Sequence, residues 1–184
     1  MIALESQPSI TITRADTDDA MLLALVGRET FLSAFTGRIQ HDDLIAFADQ
    51  RYGDSQQRAE LEDSSTTFLF GRVGDTVVGG DTVVGYAKLT DSAAPACLSA
   101  SHPVELERLY LYANWHGRGV GKLLLDWCTS EATSQSHDVI WLDVWDQNAQ
   151  ATSFYKKSGF VVVGEQPYIV GSIEQRHLLM SRVL

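Results

Sequence analysis

The stretch Glu105-Leu-Glu-Arg-Leu-Tyr-Leu-Tyr-Ala-Asn-Trp-His-Gly-Arg-Gly-Val-Gly-Lys-Leu-Leu-Leu125 constrains this chain more than any other. Leu109 and Leu111 alternate with Tyr110 and Tyr112, the period-two pattern of a strand. A short polar turn follows, then Gly117, Gly119 and Gly121, and Leu123 to Leu125 open an apolar helical face. The first amides of a helix have no intrahelical partner and carry the positive end of its dipole. Glycine lets that backbone approach a ligand closely, so strand, glycine loop and helix together suit phosphate oxygens.

Two common phosphate loops are excluded. A Walker A loop needs Ser or Thr after Gly-Lys to hold magnesium, and here Leu123 follows Gly121-Lys122. A dinucleotide fingerprint needs Gly-x-Gly-x-x-Gly early in a βαβ unit, whereas these glycines are spaced two and two and follow half the chain. The formal net charge of −10 also argues against a nucleic-acid partner, which would need a basic face. Such a surface keeps a protein in solution and favours a cationic substrate.

Around this unit the chain reads as alternating strands and helices. Ile10–Thr13 is a short strand, and Asp16 caps a helix carrying Met21, Leu22, Leu25 and Val26 at helical spacing. That helix continues past Phe31 and Phe35 to a stop at Gly37. Phe31, Phe35 and Tyr52 read as core, with substrate contact the alternative. Two more helices are expected at 42–52 and 55–62, and a strand at 66–73. Gly74-Asp-Thr-Val-Val-Gly79 then repeats as Gly80-Asp-Thr-Val-Val-Gly85, too short for a solenoid; the first copy lengthens a hairpin and the second opens the strand to Leu89. After the glycine loop come a helix to Ser134, a strand at 138–145, a helix at 149–158 closed by Gly159, and strands at 160–164 and 176–183. Mixed elements in this order mean an α/β or α+β sheet covered by helices. No linker interrupts residues 1–184, so one domain is expected.

Cys97 and Cys128 make no metal-ligand or redox pair, and no metal is expected. His102, His116 and His137 read as structural or exposed. The N-terminus lacks a signal-peptide pattern, and no apolar run reaches the length of a membrane span, so a cytoplasmic protein is expected.

The run from Arg/Gln-x-x-Gly-x-Gly/Ala in the loop resembles motif A of the GNAT superfamily of acyl-CoA-dependent N-acetyltransferases, with His116 where Gln or Arg is usual. Downstream, Asn148-Ala-Gln-Ala151-Thr-Ser-Phe154-Tyr155-Lys-Lys-Ser-Gly159-Phe160 resembles motif B, Asn-x-x-Ala-x-x-Phe-Tyr-x-x-x-Gly-Phe. Glu105-Leu-x-Arg-Leu-Tyr, the Val-Trp-Asp-Gln-Asn run and Thr30-Phe-x-x-Ala-Phe look like the PaiA-type spermidine/spermine acetyltransferases.

The resemblance implies a mixed, mostly antiparallel sheet splayed after its fourth strand, with helices on both faces. It implies acetyl-CoA as co-substrate and direct transfer to a primary amine, with a polyamine such as spermidine as one acceptor. A protein N-terminus, an amino acid or an antibiotic amine are alternatives, as is a non-catalytic acyl-CoA-binding module. The pyrophosphate would lie on the amides of His116, Gly117, Arg118, Gly119, Val120, Gly121 and Lys122. Leu109, Tyr110 and Leu111 would pair with the pantetheine arm as an added strand and supply an oxyanion donor. Asn148 would hydrogen-bond that arm, and Tyr155 would protonate the leaving thiolate. Glu105 or Glu107 would accept the amine proton through water; sharing parity with Leu109 and Leu111, both are expected on their face of the strand. A salt bridge to Arg108 is the plainer reading of either. No membrane or nucleic-acid partner is expected, and a homodimer stays open.

Overall fold

The computed structural model describes residues 9–75, 80–170 and 173–184. Seven strands, β1 (Ile10–Arg14), β2 (Thr66–Asp75), β3 (Gly80–Thr90), β4 (Pro103–Leu111), β5 (Val139–Trp145), β6 (Val161–Val170) and β7 (Ile173–Val183), form one sheet in the order β1-β2-β3-β4-β5-β7-β6. Every neighbouring pair is antiparallel except β4 and β5. Those two run parallel and pair only through Pro103–Glu105 and Val139–Trp141, beyond which they separate. The sheet is therefore splayed after its fourth strand.

Helices α1 (Ala20–Phe35), α2 (His41–Arg51) and α3 (Asp54–Glu62) cover one face, while α4 (Val120–Ser134) and α5 (Ala149–Lys157) cover the other. Strand alternation sorts the core accordingly. Leu69, Val84, Ala87, Ile140 and Leu142 pack against Leu124, Leu125 and Cys128 of α4. Phe68, Phe70, Val83 and Tyr86 pack against Leu23 and Val26 of α1.

Asp16 caps a 3₁₀ turn with a capping box to Asp19, and α1 follows directly. Its inward face is Ala20, Leu23, Val26, Gly27, Thr30 and Phe31, while Met21 and Leu25 are exposed. The first turns are apolar all round, so periodicity could not choose a face. Close approach chose it: a Cβ on Gly27 would lie 2.7 Å from the Tyr52 ring. Phe31 and Tyr52 are core, with ring centroids 5.4 Å apart, and Phe35 is half-buried beside Trp145.

The tandem hexapeptide straddles the β2–β3 hairpin, its residues 76–79 outside the described residues. The second copy opens β3 as expected. Its last glycine, Gly85, is needed where β3 meets β4, since a Cβ there would lie 2.6 Å from the Tyr110 carbonyl oxygen. The last two strands exceed their expected lengths because Pro167 and its neighbours continue the edge strand β6, where no inward N–H is required.

Candidate active site

The end of β4, the loop after it and the start of α5 enclose one open groove of about 450 Å³ between the splayed strands. At the end of β4, the Tyr112 N–H donates to the Val84 carbonyl 3.0 Å away, so its backbone faces β3. By alternation Tyr110 does the same, and the N–H and C=O groups of Leu109 and Leu111 face the splay. Of the three expected strand contacts, two therefore present amides to the groove. Tyr110 also lines the groove, and its ring packs into the core on the α1 side.

Residues Ala113–Trp115 make a 3₁₀ turn, and Gly117 and Gly119 follow at φ 73° and 84°, in the left-handed region that favours glycine. Gly119 caps α4 with no side-chain bond, and Leu123 donates the first intrahelical hydrogen bond, to Gly119. The amides of Val120, Gly121 and Lys122 thus have no intrahelical acceptor. A Cβ added at Gly117 or Gly119 would meet nothing within 4 Å, so the loop leading into those amides is open to a ligand. This cradle fits a pyrophosphate. Val120 contributes its amide alone, because its side chain is buried in the core. The His116 ring folds back to within 3.3 Å of the Leu111 carbonyl. Lys122 lines the groove and pairs with Asp126; Arg118 stacks on Trp115 instead, 5.0 Å from the ring centre. Arg38, from the α1–α2 connection, also lines the groove, a cation that no motif marked.

Across the splay, Asn148 caps α5 by accepting from the Ala151 amide at 3.2 Å. Its side-chain amide nitrogen is left to donate toward the groove, which it lines. Tyr155 lines the same groove between the Phe154 and Phe160 rings, and its phenol bonds to no described residue. A model of the family described as "Acetyltransferase (GNAT) family" matches residues 29–160. The chain belongs to that family. A relative, an uncharacterized N-acetyltransferase of the pepI 3′ region in Lactobacillus delbrueckii subsp. lactis, is 26% identical over 95% of this chain and 98% of its own. The fold matches that of the PaiA N-acetyltransferase from Thermoplasma acidophilum in complex with coenzyme A, with TM-score 0.73 and 22% identity over 96% and 99% of the two chains. It also matches yncA of Salmonella typhimurium with acetyl-CoA, with TM-score 0.63 and 20% identity over 96% and 94%. As a GNAT protein this chain is an acetyl-CoA-dependent N-acetyltransferase.

The two glutamates of this GNAT strand do not share a face with Leu109 and Leu111. The β3–β4 register slips between Lys88↔Arg108 and Leu89↔Leu106, leaving Glu107 as an extra residue. This bulge inverts the alternation. Leu106, Leu109 and Leu111 all lie on the α4 side, while Glu107, Arg108 and Tyr110 lie on the α1–α3 side. Glu105, opposite in parity to Val104 and Leu106, joins them there.

Their surroundings separate them further. Glu107 is held by Arg51, Lys88, Arg108 and Thr90. Burial alone would raise its pKa, but the Arg108 and Lys88 cations outweigh it and push it down to about 2. Among the described residues Glu105 accepts only from the Ser92 hydroxyl, at 2.9 Å. Burial, with the nearby Glu107 and Asp143 charges, pushes it up to about 7 against the Ser92 hydrogen bond and the attraction of the Lys88 cation. Glu105 does not itself line the groove; it sits where the splay begins, opposite Trp141.

A second pair on the same face carries no sequence signal. Asp143 of β5 lies 3.1 Å from His177 Nδ1 of β7 and accepts from Gln166 at 3.2 Å. The Tyr168 ring stacks on His177 at 4.5 Å. Only the β5–β7 register brings these together, although alternation along 173–183 would have turned His177 inward with Gln175 and Leu179.

Proposed function

We propose that residues 1–184, as one domain, transfer acetyl from acetyl-CoA directly to a primary amine in a ternary complex, with a polyamine such as spermidine as acceptor. What supports the reading is that one groove gathers the helix-start amides, the unpaired edge of β4 and the Tyr155 phenol. The amides of Gly117 to Lys122 hold the pyrophosphate. The splay-facing edge at Leu109 and Leu111, once the His116 ring leaves the Leu111 carbonyl, pairs with the pantetheine arm, with Asn148 donating from the other side. One of the two strand amides donates to the oxyanion as the amine nitrogen bonds to the thioester carbon. When the carbon–sulfur bond breaks, the departing thiolate accepts a hydrogen bond from Tyr155, and the proton lost by nitrogen leaves through Glu105.

Burial raises the Tyr155 phenol above its ordinary value. It therefore stays protonated across the working pH range and is a weaker acid than the thiol it serves. Its part is to donate a hydrogen bond to sulfur as charge develops, which stabilises the departing thiolate. Tyr155→Phe is expected to lower turnover by about 10²- to 10⁴-fold with acetyl-CoA affinity unchanged within a few-fold. Turnover equal to that of the parent enzyme would remove the role.

Glu105 accepts the amine proton through water, because an ammonium group is mostly charged at neutral pH. With its pKa near 7, kcat/KM is expected to rise with pH and level off above about pH 7. Glu105→Gln abolishes that limb. Linkage gives an independent check. A carboxyl whose folded pKa exceeds its unfolded value contributes stability at low pH and loses it as pH rises from the unfolded value to the folded one. The Gln variant is therefore the more stable protein at pH 8 and loses that advantage at pH 4. A pH limb that survives the substitution assigns the base elsewhere.

The polyamine reading rests on Glu105 and Asp143, carboxylates close enough to repel one another on the acceptor face and paired with no Lys or Arg among the described residues. Thiol release from acetyl-CoA across a panel of amines tests it. Spermidine should exceed amino acids and peptide N-termini in kcat/KM; preference for an uncharged or anionic amine would refute it. Binding of CoA with no thiol release for any amine would favour a non-catalytic module.

A further inference from the structure

At the end of the sheet opposite the α4 loop, three side chains converge: Asp91 just past β3, His102 just before β4 and His137 just before β5. A ligand atom from each lies within 4.8 Å of the other two. The imidazoles face one another with centroids 4.1 Å apart and planes inclined at 31°.

Their hydrogen bonds decide which nitrogen is presented. His102 Nδ1 is 3.1 Å from the Ser136 carbonyl, and His137 Nδ1 is 3.2 Å from the His102 carbonyl. A carbonyl only accepts, so each Nδ1 carries hydrogen, and in the neutral ring each Nε2 keeps its lone pair. Ligating histidines are commonly fixed in this way, by a backbone acceptor on the other nitrogen. The supporting loop is also held in place. Ser136 takes φ 65°, in the left-handed region that costs energy for a residue with a Cβ. The Asp138 carboxylate accepts from the Ser101 and His102 amides at 2.7 and 3.0 Å.

We propose that Asp91, His102 and His137 bind a divalent transition-metal ion, zinc by ligand type, with solvent completing the coordination. Two imidazoles and a carboxylate suit zinc, with bonds of about 2.0–2.2 Å. Reaching that geometry asks for small adjustments of the exposed Asp91 and His102 side chains around a buried His137, with the Nδ1 hydrogen bonds kept in place. The ion ties β3, β4 and β5 together where β4 and β5 are still paired, at the closed root of the splay. Nothing in acetyl transfer draws on it. The residues stand at 91, 102 and 137, so no compact motif announces them.

The test is zinc chloride titrated into chelator-treated full-length protein by calorimetry, with cobalt(II) absorption reporting the ligand field. One zinc per chain is expected, with Tm raised by about 3–6 °C at tenfold excess over the dissociation constant. The exposed-residue variant His102→Gln should lose more than about tenfold in affinity, as should Asp91→Asn, with thiol-release kinetics in chelator unchanged. No uptake by the parent protein at about 100 μM zinc, weaker than typical protein sites, would overturn the proposal. Undiminished uptake by the double variant would overturn it equally. Both variants are at the surface, so neither outcome depends on tolerating a change at His137.

Discussion

Gly119→Glu is expected to abolish acetyl-CoA binding while leaving the protein folded. Gly119 sits at φ 84°, so any side chain costs about 1–3 kcal/mol of backbone strain. In a chain of this size that lowers Tm by about 2–12 °C. The added Cβ meets no protein atom within 4 Å, so the side chain starts into open space. The glutamate instead occupies the region before the free amides of Val120, Gly121 and Lys122 and places its own carboxylate where the pyrophosphate would lie. A helix start that attracts one anion then holds it covalently. Calorimetry should show affinity reduced by at least about 100-fold, about 2.7 kcal/mol. Gly119→Ala separates the causes: it carries the strain without the charge and should lose only a few-fold. Normal affinity in the glutamate variant would move the phosphate site away from this loop.

What could be read in advance followed from contiguity. The loop and its partner motif are unbroken runs, so Gly117, Gly119, Asn148 and Tyr155 could be set on one groove before any coordinates. The splay came with the resemblance that those runs carry. Parity along β4 failed because alternation assumes an unbroken ladder, and one extra residue at Glu107 reverses every assignment on one side of it. The face of α1 was illegible for a different reason: an all-apolar turn has no polar side to exclude. Asp143 with His177, and Asp91 with His102 and His137, depend on strand register and loop closure, which spacing does not encode. Arg38 reaches the groove from a connection whose path no pattern specifies.

Glu107→Gln should be the most destabilising of the conservative changes on β4, and it tests whether the two glutamates have been assigned correctly. The Arg108 and Lys88 side chains are 2% and 6% exposed, and Glu60 and Glu107 are the carboxylates that bond them. Arg51 adds a third cation on Glu107. Removing one carboxylate leaves three cations facing one. Stranding buried charge in this way costs about 3–5 kcal/mol, or about 6–20 °C in Tm. The pH dependence has the opposite sign to that of Glu105. Glu107 is held at about 2, below its unfolded value, so its contribution is present above pH 4.5 and is lost as pH falls toward 2. The difference in stability between parent and variant should therefore be full at pH 7 and shrink through that acid window. A double-mutant cycle with Lys88→Met should show strong coupling, because the methionine relieves part of the stranded charge. Turnover, measured well below the variant's melting point, should stay within a few-fold of the parent. A carboxylate committed to three cations cannot cycle a proton near neutrality. A variant as stable as the parent that loses both turnover and the neutral pH limb would make Glu107 the base and leave Glu105 with the structural role.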